Sequence, residues 1–252
     1  MTTANIQLWS IDITPARHRT EELRSLLSDD ELQRADNFRF DKDRDRWIAG
    51  RAMLRIILSS VIRCSPELVN FEYDEHAKPC LRHSDDEADV YFNLTHSSDL
   101  ALLAVTSIGP VGIDVEQIKP LSDVDAVVER FFSTAERRTF STLSADEERL
   151  KAFYACWTRK EAYLKALGCG ISKPTNTFDV TLLENSEPEI VAIDGDKKAA
   201  DDWLLFDLQV MPGYVGALAI QSKADVELVW RKLPPFNTSL CANEPGSTEK
   251  IA

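Results

Sequence analysis

Leu100-Ala101-Leu102-Leu103-Ala104-Val105-Thr106 and Val215-Gly216-Ala217-Leu218-Ala219-Ile220-Gln221 are apolar runs of equal length, 115 positions apart, each closing on a polar residue. Runs this short that include β-branched residues read as strands buried on both faces rather than as helices. Upstream of each lies a second match. Arg51-Ala52-Met53-Leu54-Arg55 aligns with Glu161-Ala162-Tyr163-Leu164-Lys165 at an offset of 110, both inside longer helical patterns. Helix precedes strand in both halves, as an internal duplication requires. Short apolar matches also arise by chance, and these segments alone leave that alternative open. The duplication predicts an α+β fold: a pseudo-dimer of two similar α+β lobes, residues 1–110 and 111–232, with the active site in the cleft between them.

Around these anchors the periodicities place the other elements. Ile6, Leu8, Ile11 and Ile13 flank Trp9 in an opening strand, and Ser28-Asp29-Asp30-Glu31 has the spacing of a capping box before a helix running toward Phe38. A longer helix is predicted from Asp43 to Ile62, ended by Ser65-Pro66. Strands are expected at Val69–Tyr73, Val90–Leu94, Leu100–Thr106 and Val111–Val115. Helices are expected at Val124–Phe132, Thr134–Leu143 and Asp146–Leu167, the last stopped by Gly168 and Gly170. Strands at Thr177–Leu183, Ile190–Ile193, Trp203–Val210, Val215–Gln221 and Val226–Trp230 complete the pattern, and residues 233–252 read as a disordered tail.

Composition limits the function classes. With 44% hydrophobic and 28% charged residues, the 252-residue chain has the make-up of a soluble globular protein. It has no apolar run of the ~20 residues that a membrane span needs, and no basic start followed by an apolar run, so a cytoplasmic, non-membrane protein is expected. The net charge of −13 speaks against binding nucleic-acid backbones. One region runs the other way: Arg34 to Arg63 holds eight basic residues against four Asp, an island suited to a small polyanion or to i,i+4 pairing along a solvated helix. The five cysteines are scattered, without a Cys-x-x-Cys pair or His at zinc-ligand spacing, so reduced thiols are expected.

Two short patterns carry chemistry. Asp114 and Glu116 alternate with Ile113 and Val115, so a strand there sends both carboxylates to one face. Side by side they repel unless a cation lies between them, and Mg2+ takes such oxygen ligands while keeping positions for phosphate. An ordinary sheet with a solvated face explains the same alternation. Trp157, Glu161 and Lys165 recur at i, i+4, i+8 on one helix face, as an exposed ion pair or as a carboxylate beside a phosphate-binding ammonium. Ala77-Lys78-Pro79 and Phe92-Asn93-Leu94-Thr95-His96-Ser97-Ser98 read as a Lys held in a short turn and a hydroxyl-rich turn after a strand, either able to meet anions.

Together these segments resemble the 4′-phosphopantetheinyl transferase superfamily, in its long two-lobed, Sfp-type group. The likeness rests on Val111-Gly112-Ile113-Asp114-Val115-Glu116 and on Trp157-Thr158-Arg159-Lys160-Glu161-Ala162-Tyr163-Leu164-Lys165-Ala166. Phe92 to Ser97 is similar to the family's Phe-Asn-x-Ser-His-Ser strand end, Lys78-Pro79 to its Gly-Lys-Pro turn, and Phe131-Phe132-Ser133-x-x-Glu136 also fits. Ala77 and Ser98 depart from the usual glycines.

The resemblance implies transfer of the phosphopantetheine arm of coenzyme A to a serine hydroxyl of an apo acyl carrier protein, or of carrier domains of polyketide, fatty acid or nonribosomal peptide synthases. Adenosine 3′,5′-bisphosphate would be released. It implies that Asp114, Glu116 and Glu161 hold Mg2+, or Mn2+ in its place, and that Lys165 steadies the leaving phosphate. Asp114, Glu161 and Lys165 would be the catalytic group. Arg34, Arg46, Lys78, Pro79, Thr95, His96 and Ser97, together with Lys165, would bind coenzyme A. A monomer is expected, with the acidic carrier docking beside basic residues such as Arg17, Arg19 or Arg24. Two rivals are a binding module that kept the scaffold without catalysis, and a different Mg2+-dependent phosphotransferase. The second is disfavoured by the lack of a Walker-type loop.

Overall fold

The computed structural model describes residues 3–74, 78–81, 89–168, 173–183 and 186–234. Ala77, the end of the expected stop at Gly168 and Gly170, and residues 235–252 of the expected tail lie outside them. Two compact units form, one from Met1–Ile13 with Asn70–Lys232 and a second centred on Thr14–Val69.

In chain order the elements are β1 (Ala4–Asp12), α1 (Thr14–Arg17), α2 (Thr20–Arg24), α3 (Asp29–Asp36), α4 (Asp41–Ile62), β2 (Phe71–Tyr73), β3 (Pro79–Leu81), β4 (Tyr91–Ser97), β5 (Leu100–Thr106) and β6 (Val111–Gln117). They continue with α5 (Val124–Phe131), α6 (Thr134–Phe140), α7 (Asp146–Leu167), β7 (Phe178–Val180), β8 (Ile190–Ile193), β9 (Trp203–Leu208), β10 (Tyr214–Gln221) and β11 (Val226–Trp230). This is the mixed α+β class that the repeat implied.

The sheets of the first unit carry the repeat in their strand order. One runs β11-β1-β5-β4 and the other β6-β10-β9. In each, the opening strand of its half pairs antiparallel with the closing strand, Trp9 opposite Leu103 and Ile113 opposite Leu218. The closing strand then pairs with its hairpin partner, β4 or β9. The small antiparallel pairs β2-β3 and β7-β8 repeat as well. The apolar runs at 100–106 and 215–221 are thus the central strands, buried because both sheets contribute to one core of Ile6, Leu8, Leu102, Ile113, Leu218 and Ile220. β11 departs from the repeat by joining β1 in parallel, Ile6 opposite Leu228.

The polar run at 95–97 corrects an expectation. It is not a turn after the strand but the last three residues of β4, because Thr95, His96 and Ser97 pair with Leu102, Ala101 and Leu100. The turn falls at Ser98, whose φ of 54° lies in the left-handed region that favours glycine.

Helix α7 is buried along much of its length, with Phe153 stacked on Phe132 at 5.6 Å and Tyr163 against Phe178 at 4.6 Å. Two cations set its rotation. Arg159, fully buried, donates to Asp207 at 2.8 Å and to the Thr181 carbonyl at 2.7 Å, and Lys160 Nζ lies 2.7 Å from Glu136 Oε1 and from the Phe178 carbonyl. Buried charges are tolerated only when paired in this way. Glu136 is also the closing residue of the Ser133 capping box that starts α6.

The second unit uses the same device. Ser28 and Glu31 form the capping box of α3, and the buried Glu31 takes Arg51 and Arg55 from α4, Arg55 Nε at 2.7 Å. Arg17 and Arg19 lie on or beside the short helices α1 and α2, and Arg24 ends α2. Arg19 is paired with Glu22, and Arg24 with Asp36 at 3.1 Å.

Candidate active site

The site grows from one face of β6. Strand alternation puts Gly112, Asp114 and Glu116 on that face and leaves Ile113 and Val115 in the core. Neighbouring β4 answers with polar residues at the same period. Asn93 Oδ1 accepts from Ile113 N at 2.8 Å, Thr95 Oγ1 donates to Asp114 Oδ1 at 3.1 Å, and Ser97 Oγ donates to Glu116 Oε2 at 2.7 Å. From α7, the Lys165 ammonium reaches Asp114 Oδ1 at 2.6 Å and Thr95 Oγ1 at 3.1 Å. Two donors therefore converge on Oδ1, while Asp114 Oδ2 is buried and has no hydrogen-bond partner.

The electrostatics tie Glu161 to this group. Burial raises the Asp114 carboxyl above its ordinary value, opposed by Lys165 and by the bond from Thr95. Burial likewise raises Glu116, with Ser97 opposing and the Asp114 charge adding to it. Glu161, half-buried on α7, is raised first by burial, lowered by Lys165, and raised again by the charges of Asp114 and Glu116. Glu161 on α7 thus feels the charges of both strand carboxyls. Among the described residues, however, no three His, Cys, Asp or Glu side chains are gathered into a metal-holding group, and the cation lying on Asp114 is the Lys165 ammonium.

A cavity of about 660 Å³ opens beside Glu161 and Lys165, walled by Phe131, Trp157 and Leu164, with Lys78 and Arg130 also on its lining. Lys78 Nζ donates to the Lys165 backbone carbonyl at 2.6 Å, and burial pushes its ammonium below the usual lysine value. Pro79 begins β3 opposite Tyr73. His96 is exposed on the face of β4 opposite to Thr95 and Ser97. Arg34 and Arg46 belong to the second unit. Arg34 lies 5.7 Å from the Trp47 ring centroid, and Arg46 lies 3.7 Å from Asp43.

Comparison with known proteins gives the arrangement a family. Residues 110–219 match the 4′-phosphopantetheinyl transferase superfamily, and residues 12–108 match the N-terminal part described as 4′-phosphopantetheinyl transferase, N-terminal. The 4′-phosphopantetheinyl transferase HetI of Nostoc is 37% identical over 215 residues, which cover 85% of this chain and 87% of that protein. The chain belongs to the 4′-phosphopantetheinyl transferase superfamily.

Within that superfamily it falls in the long two-lobed group, alongside psf-1 of Bacillus pumilus at 37% identity over 72% of this chain and 75% of that protein. Sfp of Bacillus subtilis is 29% identical over 69% and 75% of the two chains. A solved ACPS–CoA complex from Chronobacterium ammoniagenes is 22% identical, with a TM-score of 0.32, over 44% of this chain and 93% of that one.

Three residues that the sequence motifs contained were given no role there. Asn93 ties β4 to β6, and Phe131 and Trp157, packed edge to face at 5.6 Å, wall the cavity. The signal was present in Asn93, Thr95 and Ser97 at i, i+2, i+4, a polar face that continues the Val90–Leu94 strand into the stretch read as a turn.

Two outcomes follow from the geometry. Thr95→Val removes one of the two donors on Asp114 Oδ1, so the acid limb of the pH–rate profile should move to higher pH and kcat should fall about tenfold. An unmoved limb contradicts the role given to Thr95. The raised carboxyls also make the apo fold pH-sensitive. A carboxyl raised in the native state adds stability that is full below its unfolded pKa and is lost as pH rises through its folded value. The apo thermal midpoint should therefore decline from the ordinary carboxylate range upward, and Asp114→Asn should flatten the decline. Glu31, held low by Arg55 and Arg51 against its burial, acts in the opposite sense and loses stability only at lower pH.

Proposed function

We propose that this transferase moves the phosphopantetheine arm of coenzyme A onto a serine hydroxyl of an apo carrier protein in the presence of Mg2+, or of Mn2+ in its place. The serine oxygen forms a bond to the phosphorus bearing the pantetheine arm. The anhydride bond to the second phosphorus breaks, and adenosine 3′,5′-bisphosphate departs with that electron pair. The reading draws on family membership, but one observation carries it: a buried, unpartnered Asp114 Oδ2, with Glu116 on the same strand face and a Glu161 carboxyl raised by burial and by the charges of both.

That donor set suits a hard divalent cation, because all three groups are oxygen ligands and their mutual repulsion is relieved by positive charge. Asp114, Glu116 and Glu161 would hold it. When bound, the cation supplies charge neutralisation on the non-bridging phosphate oxygens. The chain's own residues do the rest. Lys165, already placed by Thr95 and Asp114, sets its ammonium against the leaving phosphate. Glu161, whose carboxyl is raised by burial, accepts the serine proton directly or through a water. Lys78, Pro79, Thr95, His96, Ser97, Arg34 and Arg46 are assigned to coenzyme A, Thr95 and Ser97 acting through the acidic group that they hydrogen-bond. The acceptors are carrier proteins or carrier domains of fatty acid, polyketide or nonribosomal peptide synthesis. The enzyme works as a cytoplasmic monomer whose sequence halves, 1–110 and 111–232, serve as a coenzyme side and a catalytic side. None of the described helices is long and apolar enough to cross a membrane.

The test is direct. Incubated with coenzyme A, Mg2+ and an apo carrier protein, the transferase should add one phosphopantetheine arm to the carrier, read by intact mass. A chelator should stop the gain. A carrier whose mass never changes in any divalent cation would remove the proposal.

A further inference from the structure

Gly112 lies two residues before Asp114 on the same face of β6, the face against which α7 packs. A Cβ built there would overlap the Ala162 carbonyl oxygen and the Ala166 amide nitrogen, and would stand 2.9 Å from the Lys165 carbonyl carbon. All three atoms are helix backbone and have no rotamer by which to move aside. They belong to the turn from Ala162 to Ala166, which follows Glu161 and carries Lys165. Gly50, in α4, differs in kind, since an added Cβ there meets nothing within 4 Å.

We propose that Gly112 is a positioning residue for catalysis, setting the depth at which α7 lies on β6 and so the reach of Glu161 and Lys165 to Asp114. A side chain at 112 lifts this turn of the helix, and the 2.6 Å contact between Lys165 Nζ and Asp114 Oδ1 cannot survive a shift of that size unchanged. Misplacement of catalytic groups by about 1 Å costs on the order of a hundredfold in rate. The Gly-x-Asp-x-Glu spacing then has a steric meaning: on one strand face, the first position admits the helix backbone and the next two present carboxylates to its side chains.

The inference rests on the proposed transfer reaction, and its test separates the two. Wild type, Gly112→Ala, Gly50→Ala, Asp114→Glu and the double variant Gly112→Ala/Asp114→Glu are compared by thermal midpoint, coenzyme A affinity by calorimetry, and kcat on an apo carrier. Gly112→Ala should fold, with kcat about a hundredfold lower and coenzyme A affinity reduced much less than kcat. Gly50→Ala should keep kcat within about threefold. Asp114→Glu adds one methylene of reach, so it should lower kcat in the wild-type background and raise it in the Gly112→Ala background. Wild type without transfer activity defeats the function reading. With wild type active, full-rate Gly112→Ala, lack of rescue by Asp114→Glu, or a Gly112→Ala chain that fails to fold overturns this inference alone.

Discussion

Asp114→Asn should cut kcat/KM for carrier modification at least a thousandfold while leaving the thermal midpoint unchanged or a few degrees higher. A thousandfold corresponds to about 4 kcal/mol of transition-state stabilisation, the scale expected when a preorganised charge at a phosphoryl centre is lost. The stability sign follows from burial. Asp114 is 4% exposed, and desolvation raises its carboxyl, so at neutral pH its ionised form costs the native state more than the unfolded chain. Asn keeps an acceptor for Thr95 and Lys165 without that cost, and the Lys165 side chain, 29% exposed, retains access to solvent. Activity and stability should therefore separate, as they do where a site holds strain for function. Near-normal transfer by Asp114→Asn would discard the acidic group as the catalytic centre. A large fall in thermal midpoint would mean that the carboxylate serves the fold.

Glu136→Gln should act in the opposite way and strike the fold. Glu136 is 2% exposed, with Oε1 taking Lys160 Nζ at 2.7 Å and the Val180 amide at 2.8 Å, and Oε2 taking the Ser133 amide at 2.8 Å. One carboxylate thus joins the start of α6, the edge of β7 and the middle of α7. Neutralising it leaves the Lys160 ammonium, 1% exposed, without a counter-charge, which typically costs about 3–5 kcal/mol. Against a total stability of about 5–15 kcal/mol this is a large share, so the thermal midpoint should fall by roughly ten degrees. Glu136→Gln/Lys160→Met should recover most of the loss, because a pair removed together leaves no orphan charge. A single variant that melts with wild type would show that α7 is held by its apolar face alone.

The contrast between these two carboxylates marks where sequence reading succeeds and where it stops. Asp114 and Glu116 were legible because strand alternation fixes the face of a side chain from spacing alone, with Ile113 and Val115 naming the buried side. Glu161 and Lys165 were legible in the same way from helical spacing. The central strands β5 and β10 could be named because their apolar runs are interrupted by no polar residue before Thr106 and Gln221. Glu136 was legible only as the end of the Phe131-Phe132-Ser133-x-x-Glu136 pattern. That its second oxygen meets a lysine from α7 depends on packing between elements far apart in sequence. Arg51 and Arg55 illustrate the same limit. At the repeat positions of Glu161 and Lys165 they looked like surface cations, yet both bind the buried Glu31.

Two further features were hidden for physical reasons. Thr95, His96 and Ser97 look like loop residues because a polar strand face buried against carboxylates leaves no apolar alternation to read. The parallel pairing of β11 with β1 joins the ends of the chain, and no local pattern encodes a contact of that separation. Compactness also divides the molecule differently from repetition, because the opening strand β1 packs with the sheets while the helices that follow it form their own unit.

The central claim is that Asp114, Glu116 and Glu161 together hold one divalent cation beside Lys165. It is tested most directly by titrating Mn2+ into the transferase with coenzyme A present and following the free ion by electron paramagnetic resonance. The account predicts one tightly held Mn2+ in the wild-type protein, and loss of that binding in both Asp114→Asn and Glu161→Gln. Undiminished Mn2+ binding by Glu161→Gln would contradict it.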